Sequence, residues 1–145
     1  MLSRTANNLY WMARYVERAE NTARMLDVTH RMSLVPKEPR LADQEWFAPL
    51  NITGTLYPFS GRYSQVNATG VLRYMVLDPD NSSSIYSCAR EARENARAVR
   101  GSITSEMWEV INSTWLEMQR VAEDRIASDR VHEFFEWVKE RSHLF

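Results

Sequence analysis

The sequence predicts an all-α protein: a multi-helix bundle of about five to six helices, with a long first helix packed on more than one partner. Three observations predict it. Apolar residues between positions 9 and 30 recur in alternating steps of three and four, the spacing of one helix face. Residues 85–99 repeat that period with an alanine seam. Four Gly and five Pro in 145 residues leave long elements uninterrupted.

The first helix opens near Ser3 or Thr5, either of which can cap it, and runs to about Met32, ahead of Pro36. Its seam is Leu9, Met12, Val16, Ala19, Ala23, Leu26 and His30, and a second row holds Trp11, Tyr15, Arg18, Thr22 and Met25. Together they form an apolar arc wider than a surface helix needs, which calls for two or more packing partners. His30 closes the helix near the negative end of its dipole. Glu17 and Arg18 are sequence neighbours, so they project about 100° apart. Arg18 joins the Trp11/Tyr15/Met25 row and points toward protein, while Glu17 points toward solvent or another chain. An arginine on an apolar row needs a carboxylate, a carbonyl, an aromatic face or a ligand to offset its desolvation. Stacking on Trp11 or Tyr15, with the head reaching water, is one solution. Glu20–Arg24 and Asp27–Arg31 have i,i+4 spacing and read as solvated pairs.

Residues 33–65 form an irregular connector. "SLVPKEPR" lacks periodicity, "LADQEWFAPLNITGT" reads as a short helix interrupted near Pro49, and "YPFSGRYSQ" reads as a loop. "NATGVLRYMVLD" has an apolar run that suits a buried strand or a buried helix; with no second strand nearby it is assigned as helix. "DPDNSSS" ends that element and caps the next. "SIYSCAREARENARAVRG" is then a helix with the seam Ile85, Ala89, Ala92, Ala96 and Val99, small enough for close helix approach. "SITSEMWEVINSTWLEMQRVAEDR" makes a fifth helix, and "DRVHEFFEWVKERSHLF" a last one built on Val131, Phe134, Phe135 and Val138.

Beside the alanine seam, Arg90, Arg93, Arg97 and Arg100 form a ladder, with Asn95 among the candidate contact residues. Four cations on one stripe repel unless acids or an anion face them. Glu94 and the acidic segment 105–141, with nine acids against five bases, can supply the acids. An anion, a nucleic acid or a partner protein are the alternatives. A net charge of −1 gives no broad attractive field, and no aromatic residue interleaves with the ladder; both argue against nucleic acid. Sixteen of the eighteen basic residues are Arg, which suits fixed ion pairs.

Self-contained chemistry is missing from the sequence. It has no Walker loop, dinucleotide fingerprint, GxSxG or paired CxxC. Cys88 lies on the buried side of its helix and reads as an inert packing thiol. A lone cysteine and the lack of an apolar leader fit a cytoplasmic protein, and no apolar run approaches the ~18 residues of a membrane span. Glu140-x-x-His143 matches half of a di-iron bundle site whose other half is missing, so no metal and no cofactor is expected.

Through "LSRTANNLYWMARYVERAENTARMLD" the chain resembles the alpha-E family, bacterial all-helical proteins named for a Glu-Arg pair in the first helix, matched here by Glu17-Arg18. The resemblance continues through "SSSIYSCAREARENARAVRGSITSEMWEVIN" and "HEFFEWVKERSHLF" and so covers the whole chain, least closely in the middle loops. It implies that residues 1–145 form one helical domain, the N-terminal half of a longer protein whose second half carries a similar Glu-Arg helix. The apolar end Leu144-Phe145 fits that expectation. It also implies a function by company, because alpha-E proteins are commonly encoded beside, or fused to, a circularly permuted ATP-grasp protein and a transglutaminase-like protein. The leading expectation is therefore a helical accessory module acting with an ATP-grasp-type amide or peptide ligase, with a homodimer as a further possibility. The alternative is an uncharacterised enzyme whose polar centre combines Glu17, Arg18, Arg93, Arg97 and Asn95, Arg clamping a carboxylate or phosphate and Glu acting as base. The divergent directions of Glu17 and Arg18 argue against a joint grip on one small ligand. RNA binding through the Arg ladder is the weakest reading.

Overall fold

A computed structural model describes residues 2–127 and 129–145, and the described residues contain seven α-helices and no strand. Helix α1 (Leu2–Ser33) starts ahead of both expected caps, so Ser3 and Thr5 lie in its first turn instead. The connector is more helical than its sequence suggests, with α2 (Phe47–Thr53) and α3 (Leu56–Ser60) following two short 3-10 turns. Pro49 and Pro58 do not interrupt these helices. Each stands third in its helix, where the missing N–H has no intrahelical acceptor to lose. Gly54, at φ +68°, ends α2 in the left-handed conformation that a side chain would resist.

"NATGVLRYMVLD" is helical, as α4 (Ala68–Leu72) followed by a π turn over Arg73–Leu77. Asn67 caps α4 through its side chain, which accepts from the Gly70 N–H at 2.8 Å. The turn after it is held by buried polar groups. Asn81 donates to the Tyr74 carbonyl at 3.0 Å, Ser84 donates to the Asp78 carbonyl at 2.8 Å, and Arg62 pairs with Asp78 at 2.6 Å. Ser84 then caps α5 (Ile85–Ala98), and Thr104 caps α6 (Ser105–Met118). The fifth helix thus stops at Met118, short of the expected run, and α7 (Val131–Leu144) closes the chain.

Helix α1 packs most extensively on α5 and then on α7, while α5 also packs on α6. The wide apolar arc of α1 is thereby used, as its width requires: Met12, Thr22, Ala23 and Leu26 are buried. The larger core gathers Leu26, Trp46, Leu50, Phe59, Met75, Phe134 and Phe135 between α1, the connector helices and α7. A smaller cluster of Met12, Ala96 and Ile111, with Leu9, Trp108 and Phe145 against it, joins α1 to α5 and α6. A cavity of about 50 Å³ lies between the two, lined by Val16, Ala19, Cys88, Ala92 and Val138. Among the described residues no helix is long and apolar enough to cross a membrane.

Candidate functional site

The Glu-Arg pair sits midway along α1. Arg18 is half-buried, as its apolar row requires, and its guanidinium lies over the Tyr15 ring at 5.3 Å. Among the described residues it forms no ion pair and no hydrogen bond. Glu17 is exposed and pairs with Arg14 at 3.3 Å, one turn back on the same helix. The two side chains diverge on the helix, yet both border one groove. The groove spans more than one row of α1 because α2 and the turn before α5 form its far wall. It is open, about 630 Å³, and lined by Arg14, Glu17, Arg18, Asn21, Thr22, Met25, Ile52, Thr53 and Ser83. Thr53 is fixed there by its hydroxyl, which donates to the Pro49 carbonyl at 2.8 Å. Ser83 is fixed by its N–H, which donates to the Asn81 side chain at 3.0 Å.

The Arg ladder lines a different surface. Arg90 pairs with Glu91 at 3.4 Å, Arg93 with Glu94 at 2.8 Å, and Arg97 with Glu94 at 3.7 Å. Arg93 also donates to Asn112 of α6 at 3.2 Å. Arg93 and Arg100 lie over the Trp108 ring at 5.6 and 4.8 Å, and Arg90 over Tyr86 at 5.9 Å. Aromatic partners are therefore present, contrary to the sequence reading, because α6 folds back and supplies Trp108 from outside the helix. The following helix offers the ladder a ring and an amide, and the acids come from α5 itself. Asn95 donates to the Glu91 carbonyl at 2.8 Å, within its own helix. None of Arg93, Asn95 and Arg97 lines the groove that Glu17 and Arg18 border.

A second polar centre was missed by sequence reasoning. Asp27, expected to be a solvated partner of Arg31, is fully buried. Its carboxylate meets His132 Nδ1 at 2.9 Å and Lys139 Nζ at 2.9 Å, both from α7, and Arg31 at 3.0 Å. Burial by itself would raise the Asp27 pKa. The hydrogen bonds from His132 and Lys139, with the charges of Lys139 and Arg31, outweigh it and hold the carboxyl at about 2. Asp27, His132 and Glu136 could each offer a metal one atom within 4.8 Å of the others. The Lys139 ammonium already bridges Asp27 and Glu136, at 2.9 and 3.1 Å. The arrangement is that of an interhelix ion cluster. The signal that could have found it is position: Asp27 follows Leu26 and precedes Thr29 and His30, all on the buried side.

The Glu20–Arg24 pair, at 3.1 Å, is likewise more than decoration. The Ser142 hydroxyl of α7 donates to Glu20 at 2.6 Å, and this bond foremost lowers the Glu20 pKa. Glu140 is exposed, while His143 lies beside Glu20 and Arg24, at 3.7 and 3.4 Å, which leaves the Glu-x-x-His spacing unused for a shared site. Cys88 is buried, and burial pushes its thiol up to about 12, so it is inert as read.

The whole chain, residues 1–145, matches the model of Alpha-E, described as "a predicted alpha-helical domain with a conserved ER motif". The chain belongs to the Alpha-E family. The sequence holds two Glu-Arg pairs, Glu17-Arg18 on α1 and Glu140-Arg141 on α7. Uncharacterized proteins of Mycobacterium bovis and Mycobacterium tuberculosis are each 31% identical to this Alpha-E chain over 120 residues. That match takes in 74% of this chain and 14% of either relative, so the chain spans a small part of the length of the curated relatives it resembles. No solved structure matches it significantly.

Proposed function

We propose that this Alpha-E chain is a helical accessory module that acts with an ATP-grasp-type amide or peptide ligase, or with a transglutaminase-like protein of the same system. The observation that carries the reading is the outer face of α1. From Leu2 through Tyr10, Arg14, Glu17, Asn21, Arg24, Val28 and Met32 that face is exposed, over a helix of 32 residues. Its apolar members are large: Tyr10 is 57%, Val28 51% and Met32 56% exposed. A long helix with apolar anchors at both ends and charges between them has the form of a docking element. The Glu17-Arg18 pair lies at the middle of that element. The RNA reading is disfavoured by the ladder, whose Arg90, Arg93 and Arg97 already have acid partners.

The test is ADP release by the cognate ATP-grasp protein, with this chain present and absent, together with co-elution of the two. Stimulation that Glu17→Gln abolishes supports the accessory role. Unchanged ADP release with separate elution overturns it.

A further inference from the structure

We propose that the groove around Glu17 and Arg18 binds a small zwitterion, an amino acid or a short peptide, through its carboxylate and its ammonium group. The first argument is Arg18. Arg18 is a half-buried residue whose guanidinium borders the groove, and its five N–H donors normally find acceptors. Here it lies over the Tyr15 ring at 5.3 Å and forms no ion pair or hydrogen bond among the described residues, so no carboxylate among them occupies its in-plane donors. The second argument is Glu17. Its Oε2 accepts from Arg14 at 3.3 Å, while Oε1 makes no hydrogen bond among the described residues and can accept from an ammonium group.

The groove discriminates by charge. A phosphate or other polyanion drawn to Arg18 would meet the Glu17 carboxylate on the same wall, whose charge the exposed pairing with Arg14 at 3.3 Å offsets only in part. A simple monocarboxylate would leave Glu17 unaddressed. A molecule carrying both charges answers both residues. Thr53 and Ser83 add hydroxyls on the opposite wall, and Met25 and Ile52 an apolar strip for a small side chain. The volume, about 630 Å³, is that of a small-molecule site and exceeds what one amino acid fills, which leaves room for a dipeptide. The inference stands whether or not the chain docks on a ligase, and its test involves no ligase.

The experiment is an amide chemical-shift titration of the whole chain with L-alanine and with L-alanyl-L-alanine. N-acetyl-L-alanine, L-alaninamide and inorganic phosphate serve as comparisons. Saturable shifts at Asn21, Thr53 and Ser83 are expected with at least one of the first two, and which of them binds tighter separates an amino acid from a peptide. Blocking either charged end should weaken binding about tenfold, since each removes one charge-assisted contact. Arg18→Gln should weaken it about as much, and Glu17→Gln should weaken the amine-bearing ligands while sparing N-acetyl-L-alanine. Absence of saturable shifts for both zwitterions overturns the proposal. So does equal binding of phosphate or N-acetyl-L-alanine, which would mark a plain anion clamp, or unchanged binding by Arg18→Gln. Should Arg18→Gln fail to fold, Glu17→Gln alone decides: equal affinity for L-alanine with and without the carboxylate overturns the zwitterion site.

Discussion

Arg18 and Asp27 lie on the same helix, and each is a charge withdrawn at least partly from water, but they are treated in opposite ways. Asp27 has three basic side chains within 3.0 Å, two of them delivered by α7. Arg18 has an aromatic ring and no anion among the described residues. The rule that desolvated charge needs an offsetting partner applies to both. At Asp27 the fold supplies that partner itself, and the result is a clamp between α1 and α7. At Arg18 the fold supplies a groove. On the zwitterion proposal, the difference separates charge used to hold helices together from charge left for a ligand.

The comparison breaks most readily at Asp27. Asp27→Ala leaves Lys139, which is 13% exposed, with only Glu136 as an acid partner, and should cost about 3–5 kcal/mol in urea unfolding, the range for breaking a buried pair. A loss below about 1 kcal/mol would reduce the cluster to the rank of an exposed salt bridge. The acid dependence follows with its sign. The Asp27 pKa is depressed from 3.8 to about 2, so its stabilisation is complete above pH 3.8 and disappears as pH falls through 2. That stabilisation is on the order of 2 kcal/mol. The stability gap between the native chain and Asp27→Asn should therefore narrow between pH 5 and pH 2, and a constant gap would remove Asp27 from the acid response. Lys139→Met sharpens the same point at smaller scale. Asp27 keeps His132 and Arg31, so about 1–2 kcal/mol should be lost, less than for Asp27→Ala.

Much of this was legible in the sequence, and the misses share a cause. The seam of α1, the alanine face of α5 and the capping serine before it could be read because each depends on local spacing alone. Ala23 and Ala96, both fully buried, are where that spacing brings two helices close. Asp27 was misread because its i,i+4 arginine is a sufficient local explanation, and the residues that bury it, His132 and Lys139, come from more than a hundred positions away. Trp108 was overlooked as a partner of the Arg ladder for the same reason, since it lies on the next helix. Pro49 was read as a breaker because its place in the helix depends on where the helix starts. The groove at Glu17 and Arg18 has one wall from α1 and another from Ile52, Thr53 and Ser83. A helical wheel of α1 shows two diverging side chains, and only the connector turns them into one surface.

The smallest expected effect is at Arg18, and it bears hardest on the comparison. Arg18→Met removes a charge that no carboxylate answers, so it strands no buried partner. The ring contact with Tyr15 is worth about 0.5–1 kcal/mol, and a methionine in the same row recovers part of that by packing against Tyr15 and Met25. Stability should thus stay within about 0.5 kcal/mol of the native value, or rise slightly. Thermal and urea unfolding measure this directly, beside the Asp27 variants under the same conditions. A loss approaching that of Asp27→Ala would mean that Arg18 holds the fold through its ring and its field, and the groove would then need no ligand to explain it. Near-neutral stability, with the groove's binding lost, leaves an outside partner as the reason a half-buried cation stands there without an anion.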